Sequence, residues 1–254
     1  MKRVIDKTHW QGRAMFRLTR QFLFLLVMLG CGGSAYAQAV GTVTHLSGVL
    51  TVKHADGSAA VLAVQSSILQ GDTLVTEANT YTRVKFVDNG EMVVRPSSQV
   101  VIQSYVYDVD HPEKDNVVIR LVNGGLRSVT GLIGKRNHDV VSFETPTGTI
   151  GVRGTNFGAL FCQSDCGGVP TPSGSTPSNG LHVDVSQGAV VVSNGAGQQV
   201  FQAGDFGYIA NLNSPPLVIP PTQGVPVTMP LSISRNAPAA SASAKSSTVD
   251  CIVQ

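Results

Sequence analysis

Side chains able to act as nucleophiles, bases or metal ligands are scattered along this sequence. No serine sits in a G-x-S-x-G elbow, which would expose a nucleophile on a sharp turn. A cupin-like metal site would need two histidines as H-x-H with a carboxylate nearby, and no such group occurs. The histidines beyond the N-terminal leader are therefore predicted to be surface residues: His45, His54, His111, His138 and His182.

Most acidic residues fall in predicted turns, where a carboxylate caps backbone N–H groups. Asp56, Asp72, Asp88 and Asp205 are examples. A glycosidase needs two carboxyl groups that face each other, and nothing in the sequence selects such a pair. We therefore predict no catalytic residue, no cofactor and no metal ligand.

The cysteines suggest a structural role. Cys162 and Cys166 are close in sequence, and Cys251 stands alone near the C-terminus. In an oxidising compartment, two cysteines with this spacing could close a small disulfide loop. A zinc site would need two more ligands with suitable spacing, and none lies nearby. We predict a Cys162–Cys166 disulfide that staples a loop and leaves Cys251 unpaired.

Residues 144–157 (ETPTGTIGVRGTNF) combine closely spaced glycines with one arginine. A phosphate-binding loop would place its glycines before a helix, and no helix can follow here. The glycines are instead predicted to let a strand bend or approach its neighbour closely. Arg153 would then donate to carbonyls at the bend. The alternative is that Arg153 binds an anionic ligand.

Residues 126–138 (LRSVTGLIGKRNH) are the most basic stretch beyond the leader. They contain Arg127, Lys135 and Arg136. Such a stretch is most often a solvated edge, and that is our prediction. Arg127 is a second candidate for contact with an anionic ligand group.

Between Val40 and about Ile209, short β-branched runs alternate with turns, and helical periodicity is nearly absent. Strands and turns recur about every ten residues, which predicts an all-β sandwich, roll or solenoid. Asn-Gly and Asp-Gly supply the positive φ angles of tight turns. The predicted turns are Asp56-Gly57, Gly71-Asp72, Asn89-Gly90, Asn123-Gly124 and Asn194-Gly195.

The first and last hairpins resemble each other. Residues 48–52 (GVLTV) lead through a turn to Gly71-Asp72, and residues 188–192 (GAVVV) lead through a turn to Gly204-Asp205. We expect the two hairpins to have similar structural roles. Two copies are too few for a repeat array.

Two segments are predicted to lie outside the strand framework. Residues 162–180 are rich in Gly, Pro, Ser and Thr and form a long surface loop with the disulfide at its base. Residues 211–254 form an extended or disordered Pro/Ala/Ser-rich tail, either a solvated spacer or a tether. Residues 40–210 make up the β domain.

Residues 1–37 read as a signal peptide. A basic region precedes the apolar run FLFLLVMLG, and Ala35-Tyr36-Ala37 supplies the small residues for cleavage after Ala37. The apolar run is shorter than the roughly 20 residues that cross a bilayer. Lipidation at Cys31 is the alternative, although Leu29 is unusual there. Translation could begin at Met1 or at Met15.

Removal of the leader changes the charge. The whole chain has 18 basic and 16 acidic residues, of which residues 1–37 hold six and one. The remaining 217 residues therefore carry 12 basic and 15 acidic side chains, a formal charge of −3. This balance argues against a nucleic-acid partner. No transmembrane segment is predicted in the mature chain.

Residues 145–157 (TPTGTIGVRGTNF) resemble the T-P-x-x-x-x-G-x-R-G-T-x-F signature of the FecR domain family. Further similar segments occur in order, and the resemblance extends over about residues 40–210. These segments are GVLTV, GDTLVT, DNGEMVVRPSSQVVI, LVNGGLRS and VSQGAVVV. The matched signature residues are Thr145, Pro146, Gly151, Arg153, Gly154, Thr155 and Phe157.

The resemblance implies a periplasmic jelly-roll or double-stranded β-helix domain without enzymatic activity. The best-understood members relay the occupancy of an outer-membrane receptor to a cytoplasmic sigma factor. This chain lacks their cytoplasmic anti-sigma region and has a cleavable signal in place of a spanning helix. We therefore expect a periplasmic or secreted protein-interaction or sensing module with envelope proteins as partners. The alternative is binding of a small ligand or glycan in the jelly-roll concavity.

Overall fold

The computed structural model of the protein describes residues 38–230 and residue 233. The predicted leader, its cleavage site at Ala37 and the lipidation alternative at Cys31 lie outside these residues. So does the part of the predicted tail that follows residue 233. None of the helices in the described part of the chain has the length and apolarity needed to span a bilayer.

The described residues are almost entirely β-structure, as predicted. A 3₁₀ turn (Pro112–Lys114) and a short helix α1 (Leu132–Arg136) interrupt the strands. The strands are β1 Ala39–Leu46, β2 Leu50–Lys53, β3 Ala59–Leu62, β4 Ser67–Leu69, β5 Thr73–Thr76, β6 Thr82–Phe86, β7 Glu91–Val94, β8 Gln99–Val106, β9 Asn116–Val129, β10 Val141–Thr145, β11 Gly148–Cys162, β12 Gly180–Asn194, β13 Gly197–Gln202, β14 Phe206–Ile209 and β15 Leu217–Ile219.

The strands form one hydrogen-bonded sheet that folds into two layers. Three long strands, β9, β11 and β12, bend in the middle and contribute one half to each layer. Layer A has the order β3-β2-β5-β8-β9-β10-β11-β12-β13. Layer B has the order β4-β1-β6-β7-β9-β11-β12-β14-β15.

A single hydrophobic core lies between the layers. Leu50 and Val52 of layer A belong to the same buried cluster as Val84 and Phe86 of layer B. These residues alternate with more exposed ones along their strands, the period expected when one face of a strand packs on a core. The predicted all-β sandwich is therefore confirmed.

The two Gly-Asp turns have the same geometry. Gly71 has a φ of 89° and Gly204 a φ of 95°, both in the left-handed region. Asp72 accepts a hydrogen bond from the Leu69 N–H at 2.8 Å, and Asp205 accepts one from the Gln202 N–H at 2.7 Å. The predicted capping of backbone N–H groups by turn carboxylates is confirmed at both turns.

The Asn123-Gly124 pair was expected to form a turn between strands, and this prediction is wrong. Both residues lie inside β9, at its bend from layer A to layer B. Gly124 has a φ of 75°, and a Cβ there would lie 2.2 Å from the Ser98 hydroxyl. The positive φ angle is used here to bend the strand instead of reversing the chain.

The packed structure continues beyond residue 210. Strand β15 pairs with β14, and Val225 and Val227 are buried against layer B. We call residues 220–230 the strap. Its valines form a second apolar cluster with Leu160 and the two disulfide cysteines, on the side of layer B that faces away from the main core. The first part of the expected tail is thus an ordered cover.

Candidate functional site

The FecR-like signature begins at the tight turn between β10 and β11. Thr145 donates its hydroxyl to the Gly148 carbonyl at 2.7 Å and accepts from the Thr147 N–H at 3.3 Å. Pro146 occupies the turn itself. The first signature residues therefore close a hairpin.

The middle of the signature forms the bend of β11 between the layers. Gly154 and Thr155 together oppose the single residue Gly188 of β12, which is a β-bulge. Gly154 has a φ of 63° and Gly188 a φ of 73°. The crossing of two strands from one layer to the other thus depends on two glycines in left-handed conformations.

Thr155 fastens this bend to β9. Its carbonyl accepts from the Thr130 N–H at 2.9 Å, and its N–H donates to the Thr130 hydroxyl at 3.0 Å. Phe157 follows on β11, is fully buried and packs edge-to-face on Phe143, with ring centroids 5.0 Å apart. These signature residues position strands.

Arg153 does not donate to the carbonyls at the bend, as the sequence analysis had predicted it would. Its side chain is exposed, and within residues 38–230 it makes no hydrogen bond to the bend carbonyls. Gly151, by contrast, lies in the regular part of β11 and faces Val191. Arg153 is the signature residue left free for contact with solvent or a ligand.

Arg127 is buried, so the prediction of a solvated edge is wrong at this residue. Its guanidinium donates to both carboxylate oxygens of Asp184, at 2.7 and 2.6 Å. It also donates to the side chains of Asn156 and Ser186, at 2.7 and 2.8 Å. An arginine with these partners is occupied and is not available to an anionic ligand.

The strap covers this ion pair. The Val227 N–H donates to Asp184 at 3.2 Å, and the Val227 carbonyl accepts from Arg127 Nε at 3.2 Å. Burial raises the pKa of Asp184, while the Arg127 guanidinium and the backbone N–H donors oppose that rise. A Cβ on Gly158 would lie 2.5 Å from the Val227 side chain, so a glycine is needed beneath the strap.

The described histidines differ in their exposure. His111 and His138 are exposed, as predicted, and His45 and His54 are half-buried. The surface prediction is wrong for His182, which is only 4% exposed. Its Nε2 lies 2.8 Å from the Ser178 carbonyl, and its ring lies 5.0 Å from the Tyr208 ring.

A signal for these buried groups was present in the sequence. In β12, His182 and Asp184 alternate with apolar residues. This alternation is typical of a strand with one apolar and one polar face. Val225 and Val227 alternate in the same way beyond residue 220. Together the two patterns could have indicated that the Pro-rich segment covers β12.

A disulfide joins Cys162 to Cys166 at the start of the loop that connects β11 to β12. We call residues 163–179 the disulfide loop. Most of it is exposed, while Cys166 and Pro177 are buried. The loop lies beside the strap because both cysteines share an apolar cluster with Val225 and Val227.

A cavity of about 20 Å³ lies between the layers, beside Asp88, Tyr105 and Phe143. Asp88 accepts from the Tyr105 hydroxyl at 2.6 Å and from the Gly90 N–H at 2.9 Å. A cavity of this size holds about one water molecule. This cavity is too small for the small ligand or glycan of the alternative prediction.

The ends of both layers are exposed strands. Layer A ends in β3 and β13, and layer B ends in β4 and β15. Three of these edges carry exposed apolar side chains. They are Val61 (71% exposed) on β3, Val200 on β13, and Leu217 and Val218 on β15.

Among the described residues, no group of three or more His, Cys, Asp and Glu side chains is arranged to hold a metal ion. The His54–Asp72 pair, 2.6 Å apart, belongs to the first Gly-Asp turn, where Asp72 also caps the backbone. Arg136 pairs with Asp115 and stacks on the ring of Tyr107. These contacts stabilise turns and loops.

The chain was compared with protein families, curated proteins and solved structures. Residues 72–191 match the family model described as FecR protein. No curated protein matches the chain. A solved structure described as a cell surface anchoring domain is 31% identical over 24% of this chain and 82% of its own, with a TM-score of 0.24. A candidate anti-sigma factor from Parabacteroides distasonis is 13% identical over 58% of each chain, with a TM-score of 0.42.

The two structural similarities are too weak to support an argument, and the family match does not depend on them. The family match identifies residues 72–191 as a FecR domain.

Proposed function

We propose that this chain is a non-enzymatic, exported FecR domain that acts as a protein-interaction or sensing module in the bacterial cell envelope. It would be periplasmic or secreted, after cleavage at Ala37. Support comes from the FecR domain, from the signal-peptide pattern, and from a signature whose residues mostly position strands.

The exposed apolar edges carry the proposal. An edge strand presents unpaired N–H and C=O groups, and proteins usually protect it with charge, proline or a covering segment. Val61 on β3 and the Leu217–Val218 pair on β15 are exposed apolar side chains at such edges. An extended segment of a partner could add to either edge by backbone pairing and cover these side chains.

The ionisable groups of the described residues favour binding over catalysis. Asp184, Asp72 and Asp88 are each held by donors that belong to a turn, a strand or the strap. A catalytic acid or base would need access to a substrate. Arg153 is exposed and could add a charged contact at an interface.

The test is site-specific photocrosslinking in the producing bacterium. A benzophenone amino acid replaces Val61 on β3 or Val218 on β15, and the matched control replaces Val109, which is 67% exposed in a loop. We expect one envelope protein to be crosslinked at an edge position and absent at position 109. The same adducts at all three positions, or none at either edge, would contradict the proposal.

Export is tested separately by cell fractionation and N-terminal sequencing. We expect the protein in the periplasm or the medium with Gln38 as its first residue. A lipid-modified Cys31 at the N-terminus would instead select the lipoprotein alternative. A chain that stays in the cytoplasm with an intact leader would overturn export.

A further inference from the structure

A second cavity lies outside the two layers, between the disulfide loop, strand β14 and the strap. Its volume is about 270 Å³. His182 and Tyr208 line it from layer B, and Gln223 and Val225 line it from the strap. We infer that this cavity binds one neutral sugar unit. Ile219 of the edge strand β15 also lines it. The inference goes beyond the proposed function, since it concerns a small ligand and the proposed function concerns a protein partner.

The loop side of the cavity is lined with hydroxyl groups. Five of them come from Thr171, Ser173, Ser175, Thr176 and Ser178. Two contacts order this side: the Ser173 and Ser175 hydroxyls lie 2.7 Å apart, and Thr171 donates to the Ser175 carbonyl at 2.6 Å. Hydroxyls both donate and accept, so they complement a ligand whose own groups do both. The adjacent hydroxyls of a sugar have this property.

The opposite side is lined by one aromatic ring and by apolar groups. Tyr208 and Ile219 are half-buried, whereas His182 and Val225 are only 4% and 3% exposed. The His182 and Tyr208 rings lie 5.0 Å apart at an angle of 35°. The C–H face of a pyranose packs on such a surface while its hydroxyls turn to the polar side. Ligand sites commonly combine an apolar lining with a few polar groups that fix orientation.

His182 presents a neutral imidazole to this site. The Ser178 carbonyl can only accept, so Nε2 carries the proton and Nδ1 has the lone pair. Nδ1 is buried and has no hydrogen-bond partner among the described residues. Burial lowers the pKa of His182. A cationic ring in this position would be poorly solvated.

The absence of charged side chains around the cavity disfavours an ionic ligand. Its lining residues, all within the described part of the chain, include no Asp, Glu, Lys or Arg. A phosphorylated, carboxylated or amino sugar would bring a charge without a counter-charge, which is costly to bury. The volume is just below the range of about 300–1,000 Å³ that suits drug-sized ligands. The ligand class is therefore a single neutral hexose or N-acetylhexosamine ring, either free or at the end of a glycan.

The experiment is a binding titration followed by NMR on protein purified from an exporting host with its disulfide intact. The probes are the methyl glycosides of glucose, galactose, mannose and N-acetylglucosamine, compared with glucuronic acid and glucosamine. Short neutral oligosaccharides form a second arm. We expect saturable shifts of the His182 and Tyr208 resonances with neutral probes only. Tighter binding of the oligosaccharides would identify a glycan end as the source.

Gln223→Ala removes a polar side chain from the rim, and Gln198→Ala on β13 is the matched control, since both glutamines are exposed. Loss of one hydrogen-bonding side chain should weaken binding about five- to tenfold, whereas the control should bind as wild type. Saturable shifts that Gln223→Ala leaves unchanged, shifts with charged sugars only, or no saturable shift with any probe would each overturn the inference. Edge crosslinking at Val61 is unaffected by these outcomes, so the two proposals fail separately.

Discussion

At the scale of single residues, this protein buries an arginine–aspartate ion pair beneath the strap, where a partner cannot reach it. Beneath the strap, Nη2 of Arg127 donates to both carboxylate oxygens of Asp184, and Nη1 donates to the side chains of Asn156 and Ser186. Burial of two charges costs free energy that only such complete pairing offsets. The pair therefore fixes the register between layer B and the strap more than it adds net stability.

Asp184→Asn should strongly lower the free energy of unfolding, because it leaves the Arg127 cation buried without its counter-charge. Loss of one partner of a buried pair costs about 3–5 kcal/mol. The measurement is urea unfolding of the oxidised protein at neutral pH. Glu144→Gln is the matched control, since Glu144 pairs with Arg120 at 2.8 Å on the surface.

An exposed pair such as Arg120–Glu144 contributes about 1 kcal/mol or less. The two variants should therefore differ clearly in the urea concentration at their midpoints. Equal losses in both would show that the Arg127–Asp184 pair is no more important than a surface contact. That result would contradict its role in fixing the strap.

At the scale of elements, the long strands β9, β11 and β12 hold the two layers together, and their bends use glycine. Gly188→Ala would place a Cβ 2.6 Å from the Gly154 carbonyl oxygen at a φ of 73°. A non-glycine residue held in this region costs about 1–3 kcal/mol. We expect a loss of that size or more in the free energy of unfolding, measured by thermal and urea denaturation.

Gly151→Ala is the control for that substitution. Gly151 lies in the regular part of β11, and the nearest atom to an added Cβ is the Val191 carbonyl oxygen at 3.7 Å. A substitution without strain or a clash changes stability by about 0.5 kcal/mol or less. If both alanine variants were equally stable, the bend would not depend on the left-handed conformation of Gly188.

The sequence predicted the hairpins well but misplaced one strand bend. Short β-branched runs and Asp-Gly pairs predicted the hairpins, because strand alternation and turn chemistry are local properties. The Asn123-Gly124 pair was misread because a positive φ angle serves a hairpin and a strand bend equally. Whether the chain reverses or bends at this pair depends on the strands that pair with the two halves of β9. The pairing of Gly124 is with Phe161, which is distant in sequence.

At the scale of the whole molecule, the site that we infer depends on two segments that the sequence analysis placed outside the strand framework. The disulfide loop and the strap both lacked a long apolar pattern, so composition alone predicted solvated chain. Val225 and Val227 are nevertheless buried, because Leu160 and the disulfide offer them an apolar surface. Short covering segments of this kind are recognised from tertiary contacts and seldom from local sequence.

Truncation tests whether the strap is part of the folded unit. A chain that ends after Ile219 loses both valines and uncovers the Arg127–Asp184 pair. Full burial of a valine is worth about 1.5–3 kcal/mol, so we expect a large drop in melting temperature and faster amide exchange in β12.

The control chain ends after Ile233, which keeps the strap and the Arg83 contact to the Ile233 carbonyl at 2.7 Å. It should melt like the full-length protein, because all the described contacts of the strap are retained. If the shorter chain melted at the same temperature as this control, the strap would be a surface appendage, and its wall of the cavity would lack the rigidity that sugar binding requires.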